Sequence, residues 1–425
     1  MGSRWWQAFQ QQAFRLILRW TARGGPIRRT VAAMGIRRSP NLRRLDPARV
    51  RVAAVQLELQ TFRRPEDFTR WVAEPLGRAV ADGAQLVAFP EDVGLALLGL
   101  LPGFDQLASA PSPEAALAGL GDVAVADIFR FLGPAVGRIY HTTFSTLARA
   151  HGVFVHGGSV MLPRGRNLYN FGFLYGPDGR RVGLHAKTHL LPLEAEWGVC
   201  PGDALEVYET VLGRIGIPVC MDATYFETFR LLALDGAEIV VVPIANPEPY
   251  NEWHARRGTW ARVQETPVYG IVPALVGRLL GIELTGRAAV YAPLALSPAG
   301  DGVLAQASTW DRPEVVVADL DLVRLREYRQ RSGFPGSLRP DLYDRFLEPA
   351  YRRLLEEPAG PAGRAARTRG ATPGSPDPSP SGPSSPSLPP TPAGPDARPP
   401  ASPNRRPMAR QDARPRVPSE AGRPR

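Results

Sequence analysis

Cysteine is scarce: the 425 residues contain two, Cys200 and Cys220. Two thiols build neither a disulfide framework nor a zinc ribbon, and a Cys200–Cys220 disulfide would consume the one thiol that is chemically placed to react. Histidine is also sparse. The six histidines (His141, His151, His156, His185, His189 and His254) include no His-Glu-x-x-His pattern. His185, Lys187 and His189 alternate, a spacing that shares one face on a strand, and histidines there orient or pack against the lysine rather than hold a metal. No Walker-type phosphate loop, glycine-rich dinucleotide fingerprint or Gly-x-Ser-x-Gly elbow occurs. The expectation is chemistry without cofactor or metal. Long apolar runs are missing too, which excludes a spanning helix, and so is the apolar core and small-residue cleavage site of a secretory signal.

Arginine outnumbers acid at both ends. Residues 1–50 carry 11 arginines and one acid, and residues 351–425 carry 13 arginines and six acids, which leaves −7 for the middle of a chain whose formal total is +10. The basic pI therefore belongs to the tails. From about Glu357 the chain is Pro-, Ser-, Ala-, Gly- and Arg-rich with few large apolar residues, a composition expected to stay disordered because it buries too little to offset chain entropy. It lacks the aromatic interleaving of a specific nucleic-acid binder. At the amino end Trp6, Phe9, Ala13, Leu16, Ile17 and Trp20 recur at helical spacing among Arg4, Arg15, Arg19 and Arg23. Such a basic amphipathic helix suits either peripheral contact with an anionic membrane through residues 4–23 or an apolar patch on the domain or a partner subunit. Gly24-Gly25-Pro26 breaks it. The expected organisation is a helix over 1–24, a basic linker over 25–50, a catalytic domain over 51–330, a helical extension over 331–356 and the tail over 357–425.

What is present is a set of reactive side chains, each placed after an apolar run. Gly216-Ile217-Pro218-Val219 leads to Cys220, and Ala84-Gln85-Leu86-Val87-Ala88-Phe89-Pro90 leads to Glu91. Between them lies Leu184-His185-Ala186-Lys187-Thr188-His189, followed by Glu194 and Glu196. Strand ends of layered α/β proteins gather active sites. A thiol needs a base to take its proton, which a buried carboxylate such as Glu91 supplies, and a partner for the developing oxyanion, which Lys187 and the backbone N–H of Met221 supply. Together these residues describe a cysteine-dependent acyl-transfer site.

The order Phe89-Pro90-Glu91, Lys187-Thr188-His189-Leu190, Cys220-Met221-Asp222 resembles the Glu–Lys–Cys constellation of the nitrilase superfamily, the carbon–nitrogen hydrolases. Val52-Ala53-Ala54-Val55-Gln56, Tyr169-Asn170, Gly176-Pro177-Asp178-Gly179 and Pro201-Gly202-Asp203 fall in that family's order, and the similarity covers about residues 50–330. It implies an α/β fold, the four-layer α-β-β-α sandwich of the nitrilase type, with monomers paired through a helical layer into a dimer or larger homo-oligomer. It also implies an auxiliary glutamate, for which Glu194, seven residues after Lys187, is preferred over Glu196. Gly286-Arg287-Ala288 lacks the serine common in the family's late Gly-x-Ser segment, and Ala96–Tyr140 is longer than usual. The implied activity is hydrolysis of a small linear amide or N-carbamoyl compound through a cysteine thioester. Cys-Met-Asp departs from the Cys-Trp-Glu of nitrilases. The alternative is transfer of the same acyl group to an amine, at a membrane surface. A cytoplasmic location is expected, with the amino-terminal helix a candidate for contact with the inner membrane face.

The patterns predict strands near 51–57, 85–89, 153–160, 171–175, 182–187, 216–220, 238–243 and 270–276. Helices are predicted near 66–82, 143–151, 226–235 and 255–265.

Overall fold

A computed structural model describes residues 2–42, 45–120 and 123–356; the expected tail over 357–425 lies outside them. Fourteen strands follow one another along the described chain: β1 (Val50–Glu58), β2 (Leu86–Ala88), β3 (Phe154–Arg164), β4 (Asn167–Tyr175), β5 (Arg181–Ala186), β6 (Val207–Thr210), β7 (Gly213–Gly216), β8 (Ile239–Val241), β9 (Tyr269–Val272), β10 (Ala274–Leu279), β11 (Ile282–Leu284), β12 (Ala289–Tyr291), β13 (Val303–Gln306) and β14 (Glu314–Leu320). They form an eight-stranded sheet ordered β11-β10-β1-β2-β3-β4-β5, with β14 also on β1, and a six-stranded sheet ordered β13-β12-β9-β8-β7-β6. β14 and β10 both pair with β1, and Gln56 stands in register with a residue of each. The buried Gln56 amide serves that junction: its Nε2 donates to Thr309 O and Arg312 O, and its Oε1 accepts from Ala288 N.

The two-residue period of the strands separates three apolar layers. Ala53, Val55 and Leu57 of β1 join Val87 and Phe89 under Phe68, Val72 and Leu76 of the helix Pro65–Ala81. Their alternates Val52 and Ala54 face Ile239, Val241, Ile271 and Val290 of the other sheet. Val240, Val242 and Val272 face outwards to Phe229 and Leu232 of the helix Phe226–Leu234 and to Val263. The result is the expected four-layer α-β-β-α sandwich.

Several local expectations are corrected. The strand predicted over 270–276 is two strands in different sheets, because Pro273 has no N–H for a ladder and marks the crossing. The strand predicted over 216–220 ends at Gly216, and Cys220 opens a 3₁₀ turn, Cys220–Thr224. The helix predicted over 143–151 runs from Val125 to His151 despite Pro134. Its buried Phe129, Leu132, Val136, Ile139, Tyr140, Phe144 and Leu147 contribute ~1.5–3 kcal/mol each, which outweighs a proline defect of about 3 kcal/mol. Residues 25–50 are not all linker: Gly24–Ala33 is a helix that buries Ile27 and Val31. The preceding helix ends at Thr21, and Gly24-Gly25-Pro26, with proline in the first turn, begins the next.

The amino-terminal helix Gly2–Thr21 lies on Val125–His151, with Phe14 stacked on Phe131 at 5.6 Å and Leu18 buried. Leu16, Ile17 and Trp20 remain exposed. Among the described residues no helix is long and apolar enough to cross a membrane.

One glycine fixes where the first reactive segment can lie. Gly158 sits at φ 71° where the β3–β4 register shifts, and a Cβ there would lie 1.8 Å from Pro90 O, next to Glu91. Gly158→Ala is therefore expected to cost about 2–5 kcal/mol in denaturant unfolding, through left-handed strain plus overpacking. An unchanged unfolding midpoint would show that Pro90 is free to move.

Candidate active site

Three strand ends deliver the reactive groups. Phe89-Pro90 carries the chain from β2 to Glu91, Lys187 follows β5 directly, and Ile217-Pro218-Val219 carries it from β7 to Cys220. The Lys187 backbone is held on both sides, its N–H donating to Asn170 O and its carbonyl accepting from Gly202 N. Its side chain is almost wholly buried, at 1% exposure. There Nζ donates to Glu91 Oε1 at 2.8 Å and to Glu194 Oε2 at 2.6 Å. Asn170 Nδ2 bridges the same two carboxylates at 3.2 Å each. Ala245 N donates to Glu91 Oε2 at 2.9 Å, and Leu191 N donates to Glu194 Oε2 at 2.8 Å. Glu194 thus occupies the position expected of the auxiliary glutamate, while Glu196 is exposed at the end of the short helix Pro192–Glu196.

Cys220 adopts a left-handed backbone, φ 46°, with its N–H donating to Pro243 O. The Glu91 charge acts on its thiol, and Asn246 Oδ1 is 3.9 Å from Sγ. Both cysteines are free. Met221 follows in the turn and shares a cavity wall with Cys220.

Burial and charge set the protonation of this cluster. Burial pushes the Glu91 carboxyl up; Lys187 pulls it back in part, and Glu194 pushes it up again. Burial disfavours the Lys187 ammonium, but Glu91, Cys220 and Glu194 outweigh it and hold the group protonated well above the usual lysine range. Burial, then the Glu91 charge, pushes the Cys220 thiol well up. Burial and the Glu91 charge thus favour a neutral thiol beside the Lys187 ammonium and the carboxyl groups that hold it.

Asp222 is fully buried and ties the lysine segment to the cysteine turn. Its Oδ1 accepts from Thr188 N, Thr188 Oγ1 and His189 N, and its Oδ2 accepts from Val219 N and lies 2.8 Å from His185 Nε2. These contacts overcome the effect of burial and hold the carboxyl far below the usual range. The histidines flanking Lys187 are thus turned towards Asp222. Among the described residues no group of three or more His, Cys, Asp or Glu is arranged to hold a metal ion.

Sequence reasoning missed Asp222 and Asn170 as members of the site, although both lie in motifs it singled out. It also missed one plain signal: Lys187 is the only lysine in the chain, the other 50 basic residues being arginine.

A family model described as carbon–nitrogen hydrolase matches residues 51–330. A probable hydrolase of Bacillus subtilis, YhcX, is 27% identical over 286 residues, 66% of this chain and 52% of its own length. The chain thus spans about half of that relative. A nitrilase of Pyrococcus abyssi is 29% identical over 285 residues, 66% of this chain and 93% of its own. The crystal structure of a carbon–nitrogen hydrolase from Helicobacter pylori superimposes with a TM-score of 0.54 at 23% identity, covering 71% of this chain and 98% of that one. With a family match over most of its described length, this chain belongs to the carbon–nitrogen hydrolases.

Proposed function

We propose that the chain hydrolyses a linear amide or N-carbamoyl compound through a thioester on Cys220. In this reading Glu91 takes the Sγ proton as the sulfur–carbon bond forms and the carbonyl electron pair moves onto oxygen. Lys187 and the Met221 N–H meet the oxyanion. Collapse breaks the carbon–nitrogen bond, and the amine leaves with the proton from Glu91. Water then gives a proton to Glu91, attacks the thioester, and releases the acid and the thiol. Glu194 and Asn170 position Lys187 and Glu91. The observation that carries the reading is the buried Lys187 ammonium held by two carboxylates, with the Cys220 thiol close enough for its charge state to be coupled to Lys187 and Glu91. Such a cluster is costly to bury and suited to a reaction that moves a proton beside a developing negative charge.

A second reading, transfer of the acyl group to an amine at a membrane surface, is favoured by Leu16, Ile17 and Trp20, exposed among arginines on the amino-terminal helix. Supplying an amine acceptor with and without anionic vesicles separates the two by product: N-acylated amine for transfer, free acid for hydrolysis.

Intact-mass analysis with small amides and N-carbamoyl amino acids is expected to give an acyl adduct on the native protein. Cys220→Ala should lose the adduct and about 10⁴-fold or more of turnover; turnover surviving in that variant would remove Cys220 from the chemistry.

Because Glu91 must be ionised to act as base and its folded value is raised, kcat/KM is expected to fall as pH drops through a midpoint above the ~4.3 of an ordinary glutamate. Glu194→Gln removes a charge that raises Glu91, so it should shift that midpoint to lower pH. A shift upwards would contradict the arrangement.

Asp222→Asn exchanges an acceptor of several buried bonds for a group with only one acceptor oxygen. It is expected to lower unfolding free energy by ~3 kcal/mol and to change the rate at which iodoacetamide alkylates Cys220. Loss of stability with an unchanged alkylation rate would limit Asp222 to a folding role.

A further inference from the structure

Two cavities meet at the triad and share Leu191 and Pro247 as walls. One is the more polar of the two: it holds Cys220 and Met221 and is lined by Asn246, Tyr250, His254 and Arg287. The other, of about 120 Å³, has Glu91, Lys187 and Glu194 at its base and is otherwise almost wholly apolar. Leu95, Leu98, Leu101 and Phe104 form one side of it, and Leu280 and Ile282 another.

These two sides come from the helical turns after Glu91, Val93–Leu100 and Phe104–Ala108, and from the β10–β11 hairpin, and the two are clasped together. Leu280 N donates to Ala108 O, Arg278 donates to Pro111 O, and a Cβ on Gly281 would lie 2.3 Å from Ser112 Cα. The hairpin tip has positive φ at both turn positions, 54° at Leu280 and 74° at Gly281. Such turns favour Asn-Gly; a leucine in the first position is strained, and here its side chain lines the cavity. Two other wall residues carry polar atoms: Trp197, whose Nε1 is buried with no hydrogen-bond partner among the described residues, and Asp92, whose buried Oδ1 has none either. Burial and the charges of Glu91 and Glu194 favour its neutral form, so it does not place a charge in the apolar wall.

We propose that this cavity holds the unbranched apolar acyl arm, about six carbons long, of a linear amide that reacts at Cys220. The proposal rests on the amide-hydrolysis reading above. The size follows from comparison with apolar cavities of ~150 Å³, which hold a benzene ring. The assignment to the acyl side follows from the two-step chemistry. The acyl group stays on sulfur while the amine departs and water arrives, and both of these polar species suit the more polar cavity. The apolar cavity serves the part that stays. The atoms balance as amide plus water giving carboxylic acid plus amine.

Ammonia release by the full chain, measured across acetamide, butyramide, hexanamide and decanamide with succinamide as a polar control, tests this. Burial of each methylene is expected to raise kcat/KM about fourfold up to hexanamide, with decanamide falling back. Ile282→Trp, which fills the cavity from a strand position, should lower the hexanamide-to-acetamide ratio of kcat/KM at least tenfold. Ile282→Ala should move the optimum to longer chains. A flat or falling series, or a preference for succinamide, would overturn the acyl-arm assignment while leaving amide hydrolysis standing. A series that rises for N-alkyl acetamides instead would place the arm on the leaving group and overturn it likewise. If no amide is turned over, calorimetric titration of Cys220→Ala with hexanamide and acetamide decides separately. Tighter hexanamide binding, lost in the Ile282→Trp, Cys220→Ala double variant, supports the pocket and rejects the hydrolysis reading; equal or absent binding rejects the pocket.

Discussion

The Lys187 ammonium, buried between Glu91 and Glu194, is the interaction on which the rest of the site depends. An unpaired charge at that depth would cost several kcal/mol, and a single carboxylate would leave donors of the ammonium unanswered. Two carboxylates, joined by the Asn170 amide, answer most of that demand but leave the cluster with a net negative charge. That surplus has a chemical consequence. It raises Glu91 and favours the neutral Cys220 thiol. On the proposed mechanism, the ion cluster that positions the base also restrains the nucleophile.

The cluster is useful only if the nucleophile is held against it, and the two sheets meet that need through Asp222. Lys187 leaves the first sheet and Cys220 enters from the second. Five donors from the two segments converge on one buried carboxylate, so the relative position of lysine and cysteine is set by a short, charge-assisted network rather than by apolar packing alone. Apolar packing tolerates shifts of an ångström; a proton transfer between sulfur and carboxylate does not.

Much of this was legible in the chain because each reactive residue follows an apolar run, and strand ends are where a layered fold exposes such residues. Glu91, Lys187 and Cys220 could be named, and the four layers follow from alternation once the strands are placed. Glu194 and Glu196 could not be separated by spacing alone, since a turn of about 100° per residue in a five-residue helix decides which carboxylate faces inwards. Asp222 was hidden because its partners lie 33 to 37 residues away as well as next to it. The helices Gly24–Ala33 and Val125–His151 were missed or shortened because Gly and Pro read as breaks, whereas a buried apolar face overrides them. The lone lysine was the cleanest clue. In a chain that otherwise uses arginine for every cation, a retained ammonium points to a job that a wide, weakly hydrated guanidinium does not fit.

Backbone strain gives an independent map of the same region. Among the described residues three that are not glycine have positive φ: Asp92, Cys220 and Leu280. They lie on three different segments and in both sheets or their loops, yet each lines one of the two cavities that meet at Lys187 and Cys220. Left-handed backbone costs each such residue ~1–2 kcal/mol, and that cost persists only where the surroundings over-determine the conformation. Cys220 is held by the Pro243 carbonyl and the Asp222 turn, Asp92 by Ser159 Oγ, and Leu280 by the Ala108 carbonyl. At Cys220 the strain opens the 3₁₀ turn that brings Asp222 to the lysine segment, and at Leu280 it accompanies an aliphatic side chain that lines a cavity. Strain of this kind, distributed over residues that share no element, is what ties the helical turns after Glu91 and the β10–β11 hairpin to the same site as the ion cluster.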